Sequence, residues 1–77
     1  MPKLRPGAID RLVGKRIRRE RKQRWGLTLD DVAKKIGITP AMLQHYETGQ
    51  APLTVARLVA ISKVLGRKTR FFLEGKE

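Results

Sequence analysis

"LTLDDVAKKIGITPAMLQHYETG", residues 27–49, decides the fold. It holds two short amphipathic runs, each with a start and a stop signal. Thr28 reads as an N-cap, and Asp31 three residues later is its capping-box partner. Asp30 and Asp31 suit the positive end of a helix dipole. Leu29 or Val32, with Ala33 and Ile36, would line one face of a helix over about 29–36. Gly37 closes that helix, because glycine accepts the left-handed backbone past a helix end. Thr39-Pro40 then opens another, with Thr as N-cap and Pro at the first helical position. Leu43 and Tyr46 face inward, and Gly49 ends it. Residues 28–48 are thus helix, tight glycine turn, helix. The second helix of such a pair can enter the DNA major groove. A generic helical hairpin shares the outline.

Outward from this stretch the chain stays helical. "MPKLRPG" (1–7), with two prolines and a glycine, is expected as an irregular basic arm, leaving 8–77 as one domain. Ile9, Leu12, Val13 and Ile17 follow three-and-four spacing and predict a helix from Ile9 to about Arg24. Its other face is the most densely charged part of the chain, and "RWG" (24–26) breaks it. "QAPL" (50–53) is a loop. Thr54 caps a helix over about 55–65, lined by Leu58, Ile61 and Leu65 and stopped by Gly66. "TRFFLEG" (69–75) makes a last short helix. The expected fold is an all-α domain of five helices.

Composition narrows the function. The 77 residues suit one small domain, and 40% hydrophobic residues suffice for a core. Eighteen Lys and Arg against seven Asp and Glu leave a formal charge of +11. Such a field attracts polyanions, nucleic acid first and an anionic membrane surface second. No apolar run reaches membrane-spanning length, and the N-terminus lacks the apolar core of a signal peptide. The expected location is the cytoplasm, on the nucleoid. With one His, one Ser and no Cys, no acid–base constellation or metal-ligand set is visible. Neither an enzyme nor a cofactor is expected.

The ordered set Leu27-Thr28, Val32-Ala33, Gly37-Ile38-Thr39, Leu43, Tyr46-Glu47 and Gly49 resembles the helix-turn-helix of the Cro and lambdoid phage-repressor family, the XRE family. "VGKRIRRERKQR" resembles the first helix of that family. "LTVARLVAISKVLG" and "FFLEG" resemble its fourth and fifth, so the likeness covers roughly residues 12–75. It implies a compact five-helix DNA-binding domain, a homodimer on a palindromic operator, with the second helix across the backbone and the third reading the major groove. It also implies an ion pair between Arg21 and Glu47. This sequence departs from the pattern at four places. Glu20 stands where the family has a buried aliphatic. Trp25 looks like one extra residue before the second helix. Leu29 replaces a polar residue that commonly touches DNA. The loop Gln50-Ala51-Pro52 lacks the positive residues that some relatives use on phosphates.

Side-chain chemistry assigns candidate roles. Ala41, Gln44, His45 and Thr48 project outward from the third helix and are the base-reading candidates. The Gln44 amide sets a donor beside an acceptor, matching adenine N6 and N7. Ala41 suits a thymine methyl or close approach. His45 could donate to a base or phosphate, and Thr48 could do either. Phosphates need donors without specificity. Thr28 and Thr39, at helix N-termini, are candidates, as are Arg16 and Lys22 of the first helix, although periodicity does not sort its cations. Lys3 and Arg5 could make the arm a DNA-tracking tail. Phe71, Phe72 and Leu73 are too many large apolar groups for so short a helix to bury. At least one belongs in the core, and a surplus forms a dimer interface. The expected function is a sequence-specific regulator of transcription, a repressor. The alternative is an antitoxin-like module of the same fold that holds a toxin-like partner protein and represses its own operon.

Overall fold

The computed structural model describes residues 6–75. Lys3 and Arg5 of the expected arm lie outside the described residues. Five α-helices are present: α1 Pro6–Arg19, α2 Leu29–Ile36, α3 Pro40–Thr48, α4 Val55–Leu65 and α5 Thr69–Glu74. This is the all-α, five-helix fold expected from the sequence. A π turn, Glu20–Trp25, continues α1 without a break. Helix begins at Pro6, so the arm–domain boundary expected after residue 7 falls inside α1. Proline is at home in a first helical turn, where its missing N–H has no intrahelical partner to lose.

The capping residues act as read. Thr28 accepts from the Asp31 N–H at 3.1 Å, and the Asp31 carboxylate accepts from the Thr28 N–H at 2.9 Å. Thr39 and Thr54 accept from the N–H groups of Met42 and Arg57. Gly37, at φ 73°, makes the left-handed turn between α2 and α3 that a side chain would strain.

The core draws on every helix: Val13 and Ile17 of α1, Val32 and Ala33 of α2, Leu43 of α3, Leu58, Ile61 and Leu65 of α4, and Phe72 of α5. Fully burying one such side chain is worth about 1.5–3 kcal/mol. Ile9 and Leu12, expected inward, are 42% and 39% exposed. The line of α1 that faces the interior runs through Val13, Gly14 and Ile17 to Glu20 and Arg21. Ile9 and Leu12 flank it.

Two departures from the family pattern meet at the π turn. A π turn holds one residue more than an α turn, so it absorbs an insertion while the flanking helix keeps its register. Trp25, the apparent extra residue, swings toward α4, where its Nε1–H donates to the Leu65 carbonyl at 2.8 Å. Glu20 is buried without an aliphatic replacement. Its Oε1 accepts from Arg67 Nε at 2.7 Å and Arg24 Nη1 at 3.0 Å, which ties the π turn to the α4–α5 turn.

Candidate nucleic-acid interface

Helix α3 packs against α1 and α2 through buried Leu43, Tyr46 and Glu47. Ala41, Gln44, His45 and Thr48 are all exposed on its other side. Met42, which sequence reading did not single out, joins this outer surface. The Thr48 hydroxyl donates to the Gln44 carbonyl at 3.0 Å and lies 3.4 Å from that of His45. Its single proton is spent inside the helix, so Thr48 can offer a base edge an acceptor but a phosphate nothing.

The angle of α3 is held by two contacts with the first helix. Arg21 donates through Nε to Glu47 Oε2 at 2.7 Å and through Nη2 to Oε1 at 2.9 Å. Its Nη1 reaches the Leu27 carbonyl at 2.7 Å, just before α2. The pair is almost wholly desolvated, and removing one partner would strand a buried charge at a cost of about 3–5 kcal/mol. The second contact is Gly14. A Cβ there would collide with the Tyr46 carbonyl oxygen and come within 2.6 Å of that of Glu47. Only a glycine lets α1 lie this close to the end of α3.

A groove runs between the end of the first helix, the start of α2 and the outer side of α3. It is lined by Arg18, Lys22, Thr28, Leu29, Gln44 and Thr48, with Arg21 and Glu47 in its wall. A second hollow continues it past Glu47 and Thr48 to Arg11, Leu12 and Lys15. Thus Lys22, Thr28, Gln44 and Thr48 share one surface. Thr39, Ala41 and His45 do not line this groove. The hollows also sort the cations of the first helix, grouping Lys22, which sequence reading named, with three that it did not assign. Arg11, Lys15, Arg18 and Lys22 recur at four, three and four residues, one stripe of a helix, and all are exposed. That spacing was visible in the sequence.

Three assignments need correction. Arg16, expected on phosphate, donates through Nη1 to the carbonyls of Phe72 at 2.8 Å and Leu73 at 2.9 Å. It satisfies carbonyls that the end of α5 leaves without helical partners. Phe72, expected at a dimer interface, is 0% exposed and belongs to the core. Phe71 is half-buried, edge-to-face with Phe72 and under the Arg67 guanidinium at 4.3 Å. Leu73 alone of the three is well exposed, at 52%. Third, the start of α2 is poorer in donors than expected. The capping box occupies the N–H groups of Thr28 and Asp31, and Asp30 and Asp31 add negative charge. What Thr28 can offer a phosphate is its hydroxyl proton, as Thr39 can.

The helix-turn-helix family model matches residues 17–72. An uncharacterised HTH-type transcriptional regulator of Rickettsia conorii is 38% identical over 69 residues, 90% of this chain and 54% of its own. Another, of Sinorhizobium medicae, is 36% identical over 72 residues, covering 94% and 51%. The chain therefore spans about half the length of the curated relatives it matches. The clp gene regulator ClgR from C. glutamicum superposes with a TM-score of 0.80 over 86% of this chain and 84% of its own. At 23% identity, that likeness concerns the fold alone. The P22 c2 repressor, solved in complex with a synthetic operator, has a TM-score of 0.76 and 26% identity over 84% of this chain and 97% of its own.

Proposed function

The chain belongs to the helix-turn-helix family, and from that premise we propose that it is a sequence-specific double-stranded DNA-binding regulator of transcription, a repressor. The observation that carries this reading is the charge-poor outer surface of α3 beside the cationic stripe of α1. The stripe supplies attraction without specificity, and the Gln44 amide, the His45 imidazole and the small side chains supply discrimination. The operator held by the P22 c2 repressor supports the same reading.

In this mechanism α3 enters the major groove. Gln44 pairs with adenine, worth about 1–3 kcal/mol of discrimination. Ala41 approaches a thymine methyl, His45 donates to a base or backbone oxygen, and Thr48 presents an acceptor. Lys22 and the Thr28 and Thr39 hydroxyls hold phosphates, with Arg11, Lys15 and Arg18 adding field. The Arg21–Glu47 pair and the Gly14 contact fix the tilt of α3. The working form is a homodimer on a palindrome, its two α3 helices about 34 Å apart. Leu73 is the exposed apolar α5 side chain that contributes to that dimer. The reading makes the protein a non-enzymatic binder that works in the cytoplasm, where the DNA is. Among the described residues no helix is long and apolar enough to cross a membrane.

Selection from randomised duplexes at about 0.15 M salt tests the reading. A recovered palindrome, with Gln44→Ala relaxing one position in each half-site, is the expected result. Binding without any motif, equally salt-sensitive in both proteins, would remove α3 from the role of reader.

A further inference from the structure

The α5 side of the molecule carries a second cationic surface, which borders the α1 stripe at Arg19. Residues 55–75 hold one carboxylate, Glu74, against five cations. Two hollows adjoin at Phe71. One is lined by Gly66, Arg67, Lys68 and Phe71, and the other by Arg16, Arg19, Glu20, Phe71 and Gly75. The Glu20 carboxylate is already held by Arg24 and Arg67. Arg19, Lys68 and Arg70 are exposed, and none forms an ion pair among the described residues. The result is a half-buried aromatic ring with one face under Arg67 and with Lys68 and Arg19 in the hollows beside it.

We propose that this surface docks an acidic segment of a partner protein, with one apolar side chain against Phe71 and carboxylates on Arg19 and Lys68, which line the hollows on either side of it. Charge complementarity selects the occupant. A second copy of the chain would set these cations against themselves, a juxtaposition that costs affinity. A DNA backbone has phosphates for the cations but only deoxyribose edges for the ring, where a leucine-sized side chain would cover it. A dimer through Leu73 remains compatible, because residues two apart on a helix point roughly 200° apart. The surface gives the regulator a place to receive a protein while α3 stays free.

The test uses the whole chain and a short labelled peptide of Asp and Glu with one central leucine, titrated by anisotropy at about 0.15 M salt. Lys68→Glu is expected to weaken the peptide about tenfold and to leave duplex binding little changed. Arg18→Gln/Lys22→Gln is expected to do the reverse. Replacing the central leucine by serine should weaken binding to the wild type. The proposal is overturned if neither peptide binds, or if the peptide responds only to the Arg18/Lys22 pair. It is overturned equally if Lys68→Glu weakens the duplex as much as the peptide, which would make this a DNA surface. A shift in self-association of that variant by sedimentation would make it a dimer face. If the Arg18/Lys22 pair has no effect on the duplex, the DNA reading fails and the peptide site stands.

Discussion

Glu20 shows how one residue can break a pattern and still fold. Burial alone would raise its pKa, but hydrogen bonds and charges from Arg67 and Arg24 outweigh that and hold the carboxyl below its ordinary value. The folded chain therefore takes up this proton less readily than the unfolded chain. The pairing stabilises the fold above the unfolded pKa, and that contribution is lost as pH falls through the lower, folded pKa. Glu20→Gln keeps the shape and removes the charge. It is expected to cost about 1–3 kcal/mol near neutrality and to flatten the acid side of a melting-temperature profile. An acid side as steep as that of the wild type would move the sensitivity to Asp31. That carboxyl is also lowered, first by the hydrogen bond from the Thr28 N–H.

Helix α1 serves a different neighbour on each side. Gly14 meets the end of α3, Arg16 meets the end of α5, and the stripe from Arg11 to Lys22 faces solvent beside α3. Glycine in a helix ordinarily costs stability, since it leaves more backbone freedom to lose. Gly7, with nothing within 4 Å of a Cβ, follows that rule. Gly7→Ala should raise stability by up to about 1 kcal/mol. Gly14→Ala, the same change two turns further along the helix, should lower it by about 1–3 kcal/mol, because the new methyl meets backbone that has no room to yield. Thermal melts of the two variants read the contrast directly. Equal melting points would mean that α1 and α3 are not in such close contact.

At the scale of the molecule, a charge of +11 is partitioned. Arg16, Arg21, Arg24 and Arg67 hold the fold together, and Arg11, Lys15, Arg18 and Lys22 line the groove. Each phosphate contact releases counterions, so the salt dependence of binding counts the cations engaged. Lys22→Gln should reduce the slope of log K against log salt by about 0.9. Arg16→Gln should leave the slope alone and lower the melting temperature, since it uncaps α5. Duplex titrations over a salt series, paired with melts, check both. A slope that responds to Arg16 and not to Lys22 would invert the partition.

Local rules were enough for α2, α3 and α4, though not for the Pro6 start of α1 or the π turn that ends it. A cap at Thr28, Thr39 or Thr54 involves residues three apart, and each start was readable from the sequence by itself. So were the ends at Gly37, Gly49 and Gly66, the outward set Ala41, Gln44, His45 and Thr48, and the helix-turn-helix they compose. Periodicity also held the stripe from Arg11 to Lys22, had it been followed. Only the tertiary structure decided what meets each helix face. Periodicity gives an angle around an axis, not the identity of the neighbour at that angle. Arg16 finds carbonyls 56 and 57 positions away, Glu20 finds Arg67 at 47, and Trp25 finds Leu65 at 40. Phe71, Phe72 and Leu73 are equally apolar as letters. Which of them is core, half-buried or exposed depends on how α5 comes to rest on α1 and α4, and no local preference encodes that.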